Sequence, residues 1–451
     1  MQAMMKKEKD VILDVAGVGI GPFNLSTAAL LQPIKKLRAV FYERAPEFQW
    51  HSGLLFPEAT IQVSFLKDLV TLVDPTNPYS FLAFLSSTKR LYSFITANFP
   101  RLTRVEFNQY FQWVCASLPN LRFASPVDGI FYDGRSFVLD LGTEMVRAWN
   151  LILGSGLTPV IPDCARPHLG PSVFHASLYL KKNIKAAGKQ IAIIGGGQTG
   201  AEIFYHLLRD SENTPRQIYW ISRRPNFLPL DETPFTNELF TPNYSNFFFN
   251  LPVEEKPSVL AQQKLASDGI APGLLEMIYR RLYEIEFLNG HKHKINLCPS
   301  RELIDLSPSV DGRWALLLGD NCLGRFETID ADIVVMCTGA EYKAPKYLDP
   351  LMDRIPLDGG RFMFRDDFSI EWDGPSSQRI YAQNAALHAR GVADPNLGLM
   401  AWRSAKIVNS LAGRIVYDVD NNTTFFDWTA AEVQPKEVQT KEVQSRSGAT
   451  I

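Results

Sequence analysis

The chain has 451 residues, of which 46% are hydrophobic and 21% are charged. Its 46 lysines and arginines nearly balance its 48 aspartates and glutamates, so the formal net charge is only −2. This balance argues against nucleic acid or an anionic membrane as a partner, because both attract strongly basic surfaces. No apolar run approaches the roughly 20 residues that a membrane-spanning helix needs. We therefore expect a soluble globular protein of two or three domains.

Cysteine usage and the N-terminal segment both favour a cytoplasmic protein. No two of the five cysteines form a Cys-x-x-Cys pair, which argues against a zinc site, a dithiol redox centre and a disulfide framework. The cysteines are Cys115, Cys164, Cys298, Cys322 and Cys337. Asp10 and Asp14 interrupt the apolar run after the basic start, so we interpret this run as a first strand rather than a signal peptide.

A strand, a glycine turn and a helix follow one another near the N-terminus. The strand is predicted over Val11–Ala16 and the helix from about Asn24. The turn between them contains Gly17, Gly19, Gly21 and Pro22. Its backbone N–H groups and the helix dipole would bind a pyrophosphate. Glu43 follows the predicted strand Ala39–Tyr42, and a carboxylate there accepts ribose hydroxyls and repels a 2′-phosphate, which favours FAD or NAD over NADP.

The same pattern recurs later in the chain with a different ending. The strand Gln190–Ile194 precedes a second glycine turn, and the helix Ala201–Leu208 follows it. This turn contains Gly195, Gly197, Gln198 and Gly200, which would face the pyrophosphate of the second nucleotide. Arg223 and Arg224, behind the strand Gln217–Ile221, stand where the first unit has its glutamate. Two guanidinium groups suit a 2′-phosphate and predict NADPH, with two solvated surface arginines as the alternative.

Two such units predict an α/β protein with two Rossmann-like dinucleotide-binding domains, one for FAD and one for NADPH. We place the first part of the FAD-binding domain at residues 1–170, the NADPH-binding domain at 171–340 and a return segment of the FAD-binding domain at 341–428. A small helical and loop insertion at 230–285, with a helix at Leu274–Tyr283, would shape the substrate pocket.

A third glycine stretch and the C-terminus complete the predicted organisation. Asp332–Met336 is predicted as a strand that returns to the flavin domain and brings Gly339 to the cofactor. Near the C-terminus, Glu-Val-Gln repeats alternate with lysines and small polar residues. Such a composition cannot bury a core face, so we predict a disordered tail over 429–451.

Longer motifs extend the prediction from cofactors to chemistry. Because the chain has no vicinal thiols, a flavin here would transfer hydride to carbon or activate O2 rather than reduce a disulfide. Motifs across 11–428 resemble the microbial N-hydroxylating flavin monooxygenases of siderophore biosynthesis, which oxidise the side-chain amine of lysine or ornithine, or one amine of a diamine. These motifs are Gly17–Leu25, Phe48–Gly53, Gln62–Leu69, Pro75–Phe81, Phe174–Ser177, Gly195–Glu202, Asn237–Phe240, Ser267–Ile270, Asp394–Leu397 and Ala401–Ser404.

The resemblance implies FAD and NADPH as cofactors, and O2 and a small primary amine as substrates, with no metal. In such enzymes NADPH reduces FAD, O2 adds to give a C4a-hydroperoxide, and the amine attacks the distal oxygen. The amine must be neutral, and burial lowers the pKa of an alkyl ammonium from about 10.4. The resemblance also implies a homo-oligomer, dimer or tetramer, and a functionally linked siderophore acyltransferase or synthetase downstream.

The resemblance further assigns roles to residues that match the family motifs. Trp50, His51 and Gln62 are expected at the flavin ring, and Gln62 also joins Lys67 and Asn237 as the catalytic set. Lys67 and Asn237 would hold the carboxylate end of an amino-acid substrate. The remaining assigned residues are Asp394, Asn396 and Leu397 beside flavin and substrate, and Asp268, Leu397 and Gly398 at the substrate. A core role for Trp50, a loop role for His51 and an exposed turn for Lys67 are the alternatives.

The identity of the amine stays open. Ser267–Ile270 looks closer to the lysine and diamine enzymes than to ornithine enzymes, whereas Pro100–Phe107 looks less like the lysine enzymes. Gly398 replaces the serine of a Leu-Ser-Leu family pattern and removes a hydroxyl from the substrate side. We favour a diamine, putrescine or cadaverine, over lysine or ornithine, although a diamine offers Lys67 no carboxylate. A flavin monooxygenase acting on sulfur or a ketone, and a non-catalytic flavin protein, are further alternatives.

Overall fold

The computed structural model describes residues 12–210, 212–288, 294–420 and 424–429. Within them, two mainly parallel sheets each carry one dinucleotide-type turn, and helices cover both sheets. The α/β fold class with two Rossmann-like units is therefore confirmed. Our domain limits at residues 170, 340 and 428 remain our own division of the chain.

The first sheet has a parallel centre with antiparallel additions at its edges. Its successive strands are Ser369–Ile370, Ile380–Ala382, Met145–Leu153, Ile12–Val18, Ala39–Tyr42 and Leu121–Arg122, and the hairpin Gly129–Tyr132 with Phe137–Asp140 joins at Met145–Leu153. The strand Ile12–Val18 lies between Met145–Leu153 and Ala39–Tyr42, parallel to both. The first glycine turn therefore lies at the centre of the sheet, at the carboxyl edge where nucleotides bind in such folds.

Three long helices bury the hydrophobic core of the first sheet. They are Pro22–Leu31, Arg104–Ser117 and Met400–Ala412. Thr103 caps the second of these helices by accepting the N–H of Glu106, and Pro22 stands at the first position of the first helix, where no intrahelical N–H bond is lost. Phe41, Phe107 and Phe111 are fully buried between sheet and helices. Shorter helices of this part are Phe81–Ser87, Leu91–Ala97, Lys346–Arg354, Leu387–Arg390 and Leu397–Leu399.

The second sheet is parallel throughout. Its strands are, in spatial order, Lys294–Cys298, Gln217–Ile221, Gln190–Ile194, Ile333–Met336 and Val173–His175. Helices Gln198–Arg209 and Pro272–Tyr283 cover it, and the latter continues as a π-helical turn, Glu284–Leu288. An antiparallel sheet of Arg301–Pro308, Trp314–Asp320 and Phe326–Ala331 packs beside the second sheet through buried leucines. Smaller elements are Thr158–Pro159 paired with Ala340–Glu341, Leu357–Asp358 paired with Arg361–Phe362, and the helices Asp163–His168, Ala176–Leu178 and Tyr179–Lys182.

The predicted insertion at 230–285 consists of short helices and the loops between them. Its helices are Pro234–Asn237, Glu238–Phe240, Pro242–Asn250, Lys256–Gln262, Leu265–Asp268 and Pro272–Tyr283. Proline at the first or second position of four of them starts each helix without losing an internal hydrogen bond. The predicted helix at Leu274–Tyr283 is confirmed and begins two residues earlier.

One topological prediction is wrong. Ile333–Met336 does not return to the first sheet, since it lies between Gln190–Ile194 and Val173–His175 in the second sheet. The strand that returns to the first sheet is Ile380–Ala382, parallel to Met145–Leu153. Apolar strands of four residues carry no local signal for the sheet they join, because the pairing partner is distant in sequence. The predicted tail beyond Thr429 lies outside the described residues.

Candidate active site

The first glycine turn has no room for a side chain at Gly17 or at Gly19. A Cβ at Gly17 would lie 2.0 Å from Cδ1 of Phe41, and one at Gly19 would lie 2.5 Å from the carbonyl oxygen of Gly154. Gly19 also has a φ of +86°, which side-chain-bearing residues rarely adopt. Gly21 then caps the helix Pro22–Leu31. The backbone is thus free to approach a pyrophosphate at a helix N-terminus.

Glu43 occupies the expected position at the end of the neighbouring strand. Its carboxylate accepts the N–H groups of Ile20 and Ala45, both at 2.9 Å. These bonds fix the carboxylate beside the glycine turn and leave lone pairs for further donors such as ribose hydroxyls.

Trp50 and His51 lie on a turn beside the hydrophobic core. The Trp50 indole packs edge-to-face on Phe107 and Phe111, with ring centroids 6.0 and 5.3 Å apart. The imidazole of His51 is open to solvent at one side, yet surrounding protein and the positive charge of Arg104 lower its pKa to about 4. His51 is therefore neutral at pH 7. The core role considered for Trp50 describes its packing, and its contact with flavin stays a prediction.

A cavity of about 1000 Å³ brings together six of the predicted site residues. They are Gln62, Lys67, Asn237, Asp268, Asp394 and Asn396. These residues come from four separate segments of the chain, so only the tertiary structure could place them around one space. Leu397, also predicted here, packs against the core of the first sheet and is not part of this cavity wall.

Lys67 points its ammonium group toward the cavity without a carboxylate partner. Among the described residues no ion pair involves Lys67, and burial lowers its pKa from the ordinary value. A Cβ at Gly398 would lie 3.4 Å from the Lys67 Nζ and 2.9 Å from the Asn396 Oδ1, which itself accepts the Gly398 N–H at 2.6 Å. Glycine at 398 therefore leaves space for the Asn396 side chain, and Lys67 lies within contact distance of this position. The exposed-turn alternative for Lys67 is wrong, since its side chain is half-buried.

Asp394 is held by protein groups at the back of the cavity. It is 3% exposed, lies 3.1 Å from the guanidinium of Arg403, and accepts the Ala386 N–H at 2.9 Å. Arg403 is 1% exposed, so each charge neutralises the other in a buried setting. Asp394 fixes the two segments that carry Ala386 and Asn396, and its predicted contact with the cofactor stays a prediction.

Most acidic groups around the cavity are already paired. Glu232 pairs with Arg101, Glu341 with Lys343 at 2.8 Å, and Asp268 faces Arg224 at 3.8 Å. Asp231 differs, because no ion pair involves it among the described residues.

Three cavity residues were not predicted from the sequence. Asp231 lies near Asn237 in sequence but belongs to none of the recognised motifs. Asn384 Oδ1 and the Tyr342 hydroxyl are buried without a hydrogen-bond partner in the described part of the chain, and both residues line the cavity. An unpaired buried polar atom marks a place for a ligand group, which a sequence pattern does not reveal.

A second cavity of about 660 Å³ surrounds the second glycine turn. Its wall includes Gly195, Gly197, Gln198, Arg223, Arg224 and Gly339. A Cβ at Gly195 would lie 2.1 Å from the Cys337 carbonyl oxygen, and one at Gly200 would lie 2.1 Å from the Gly195 carbonyl oxygen. The glycines thus allow the close strand–helix approach that a pyrophosphate site needs.

Two predicted residues of this second cavity, Gln198 and Arg224, are hydrogen-bonded to other parts of the protein. The Gln198 side chain donates to Glu202 and accepts the Ala271 N–H, both at 2.8 Å. Protein groups thus hold its amide, and its contact with the nucleotide stays a prediction. Arg224 donates to the Asp268 carbonyl at 2.8 Å, whereas Arg223 is mostly exposed. Gly339 lies in this cavity and not beside the first glycine turn, because its strand belongs to the second sheet.

The two cavities meet at one wall. Ser267, Asp268 and Ala340 line both of them. A nucleotide in the second cavity and a ligand in the first would therefore lie next to each other across this shared boundary.

Residues 11–343 match a family profile described as L-lysine 6-monooxygenase/L-ornithine 5-monooxygenase. The chain belongs to this family. It is an N-hydroxylating monooxygenase, as the motif resemblance predicted.

Individual relatives cover nearly the whole monooxygenase. The L-lysine N6-monooxygenase of Escherichia coli is 39% identical over 94% of this chain and 99% of its own length. A cadaverine monooxygenase of the desferrioxamine pathway from Erwinia amylovora, solved with FAD, is 34% identical, with a TM-score of 0.87 over 94% of this chain and 100% of that one. An ornithine N-hydroxylase from Kutzneria sp. 744, solved with reduced FAD, NADP⁺ and L-ornithine, is 27% identical, with a TM-score of 0.83 over 89% and 99%.

In the described residues of the monooxygenase, no helix is both long and apolar enough to span a membrane. The cytoplasmic location and the homo-oligomeric state stay predictions.

Proposed function

We propose that this monooxygenase uses FAD, NADPH and O2 to hydroxylate the side-chain amine of an L-amino acid, with L-lysine as the substrate, for hydroxamate siderophore biosynthesis. The observation that carries the proposal is that Lys67 and Asp231 line one cavity and that neither has an ion-pair partner among the described residues. A cation and an anion without ion-pair partners in the described part of the chain suit the α-carboxylate and the α-ammonium of a zwitterionic amino acid. The 39% identity with an L-lysine N6-monooxygenase supports lysine in particular.

FAD fits the first glycine turn, and NADPH fits the second. The close approach of Gly19 to Gly154 leaves backbone N–H groups at a helix N-terminus, and Glu43 stands beside them for the ribose. Arg223 and Arg224 line the second cavity, where guanidinium groups suit a 2′-phosphate. When bound, the flavin supplies the activated oxygen that the amine receives.

The chain itself binds the amine, keeps it neutral and restricts water. Phe240, Leu260 and Val392 line the same cavity as Lys67. Apolar surroundings lower the pKa of an ammonium group, so the terminal amine is nucleophilic at a pH where a free amine is protonated. Asn237 and Gln62 offer amide groups to the substrate from the same wall, which leaves positioning as the role of the predicted catalytic set.

A diamine is the second candidate, and it was favoured by sequence alone. The carboxylate of Asp231 could hold its second ammonium, and a relative with 34% identity is a cadaverine monooxygenase. With a diamine bound, however, the Lys67 ammonium would have no anionic group of the substrate to bind and would share the cavity with a doubly positive ligand. This arrangement costs binding energy.

The test measures NADPH oxidation and hydroxylamine formation together, with added FAD, on L-lysine, L-ornithine, cadaverine and putrescine. We expect matched NADPH loss and product with L-lysine. The variant Lys67→Met should raise the KM for L-lysine by about 10-fold or more, because a charged hydrogen bond contributes about 1.5–3 kcal/mol. The same variant should leave the KM for cadaverine unchanged or lower it.

Lys343→Met is the matched control, since Lys343 lines the same cavity but is already paired with Glu341. Coupled turnover with a diamine alone would overturn lysine and keep the N-hydroxylase. NADPH loss that yields only H2O2 with every amine would overturn the proposed substrate class.

A further inference from the structure

The last described segment of the chain packs against the helices that carry Asn237. We call residues 424–429 the terminal strap. Its Phe426 ring contacts Phe235 with centroids 5.7 Å apart, and its Trp428 ring contacts Tyr244 at 4.8 Å and stacks on Phe247 at 5.9 Å. Phe426 and Trp428 also stack on each other at 5.1 Å, so the strap presents one continuous aromatic surface.

A hydrogen bond adds a polar contact at the start of the strap. The Thr424 hydroxyl donates to the carboxylate of Glu238. Phe235 precedes Asn237 by two positions and Glu238 follows it directly. The strap therefore contacts the chain on both sides of Asn237, while Asn237 itself lines the cavity.

The helix that carries Asn237 is too short to be stable without tertiary contacts. Pro234–Asn237 is a single turn of four residues, and isolated helices that short are unstable in water. Its N-cap bond, from the Thr236 N–H to the Thr233 hydroxyl, is local and exposed. The next helix, Pro242–Asn250, is anchored on its other side, where the Ser245 hydroxyl donates to the Arg390 carbonyl at 3.4 Å. The helix Pro242–Asn250 is thus held both by the strap and by the bond from Ser245 to Arg390.

Thr424, Phe426 and Trp428 of the strap are partly buried, whereas the residues that alternate with them are exposed. The indole nitrogen of Trp428 is buried and has no hydrogen-bond partner in the described residues, a cost that aromatic packing against Tyr244 and Phe247 offsets. The neighbouring Phe425 points the other way and is fully exposed.

We propose that the terminal strap is a positioning element of the substrate site. Phe426 and Trp428 hold the turn of Asn237 at the cavity wall and so control how tightly the amine substrate binds and how fully its oxidation is coupled to NADPH. The assignment rests on the proposed function, because Asn237 matters only when an amine occupies the large cavity. None of residues 424–429 lines the cavity around the second glycine turn, where NADPH is proposed to bind, so flavin reduction by NADPH should not depend on the strap.

The experiment compares Trp428→Ala, Phe426→Ala and the control Phe425→Ala in the full-length protein loaded with FAD. The first two variants should raise the KM for the amine about three- to tenfold, the effect of losing aromatic pairs, and should release more H2O2 per NADPH. Flavin content, the KM for NADPH and flavin reduction by NADPH without amine should match the wild type. Trp428→Phe should restore most of the coupling, and Phe425→Ala should behave as wild type.

Hydrogen exchange supplies a readout that does not depend on the substrate. Backbone amides over 233–250 should exchange faster in Trp428→Ala and Phe426→Ala than in Phe425→Ala. Unchanged exchange would overturn the strap as a positioning element, whatever the amine is. Faster exchange with an unchanged KM and unchanged coupling would overturn its role at Asn237. If the wild type hydroxylates no amine, the proposed function fails, and the exchange comparison still decides whether the strap holds 233–250.

Discussion

The guanidinium of Arg104 donates to both carboxylate oxygens of Glu202, at 2.9 and 2.8 Å. Arg104 begins a helix of the first sheet, whereas Glu202 lies on the helix after the second glycine turn. The side chains are only 14% and 5% exposed, and Glu202 also accepts a bond from Gln198 in the second cavity. Burial and, to a smaller extent, the same guanidinium lower the pKa of His51. This buried ion pair thus links a helix that packs on the first sheet to the helix that follows the second glycine turn.

Removing one member of this pair should destabilise the protein and disturb its use of NADPH. Glu202→Gln leaves the Arg104 charge buried without a counter-charge, which costs about 3–5 kcal/mol. We expect a lower free energy of unfolding in urea and slower flavin reduction at a given NADPH concentration. The double variant Arg104→Leu/Glu202→Leu should recover part of the stability, because it buries no unpaired charge.

Arg209→Gln is the matched control for this pair. Arg209 lies on the same helix as Glu202 and pairs with Glu58 across the same two units, but both side chains are more than one-third exposed. An exposed pair contributes about 0–1 kcal/mol, so this variant should unfold close to wild type. Equal losses in Arg209→Gln and Glu202→Gln would contradict the importance of burial.

Gly19→Ala should prevent FAD binding. The new Cβ would lie 2.5 Å from the Gly154 carbonyl oxygen, so the turn must open where the pyrophosphate would bind. Gly134→Ala is the control, because Gly134 has a similar φ of +88° but no heavy atom within 4 Å of the added Cβ. The positive φ alone costs about 1–3 kcal/mol in either variant. Flavin absorbance per protein after reconstitution should fall only in Gly19→Ala, and retained flavin there would refute the assignment of this turn.

Arg223→Ala should weaken NADPH binding while it leaves NADH binding unchanged. Its side chain is 71% exposed and its pairing with Glu302, at 3.9 Å, is loose, so the guanidinium is free to bind a 2′-phosphate. Loss of such a charged hydrogen bond, about 1.5–3 kcal/mol, should raise the KM for NADPH roughly 10- to 100-fold. The comparison is flavin reduction by each coenzyme, with the exposed helix variant Arg280→Ala as control. An equal effect on both coenzymes would show that Arg223 does not read the phosphate.

The KM for L-lysine should begin to rise at a lower pH than it would if Lys67 had the ordinary pKa of a lysine side chain. Burial lowers the pKa of Lys67, so its ammonium loses its proton at a lower pH than the usual 10.4 or so. Binding of the α-carboxylate needs the protonated form, and the KM therefore increases as the pH rises through this lowered pKa. Profiles of kcat/KM between about pH 7 and 10 should lose this alkaline arm in Lys67→Met. A profile identical in variant and wild type would exclude Lys67 as the carboxylate partner.

The local units of this protein follow from its sequence alone. A strand, a glycine turn and a helix are neighbours in the chain, and the turns at Gly19 and Gly195 require φ values that favour glycine. Ala39–Tyr42 and Gln190–Ile194 are predicted to the residue, because a short apolar run bounded by turn residues is a local signal. The helix after the first turn begins at Pro22 rather than Asn24, within the range by which helix ends differ.

Only the tertiary structure decided which distant segments meet. Ile333–Met336 and Ile380–Ala382 are both short and apolar, and the sheet that each joins depends on strand pairing across more than 100 residues of chain. The sequence also did not predict two relationships between side chains, namely that of Arg104 with Glu202 and that of Lys67 with Asp231. The first two residues meet in an ion pair, whereas the second two share a cavity wall and have no ion-pair partner among the described residues. Whether a charge is paired or free depends on packing between elements, and local sequence patterns do not encode that packing.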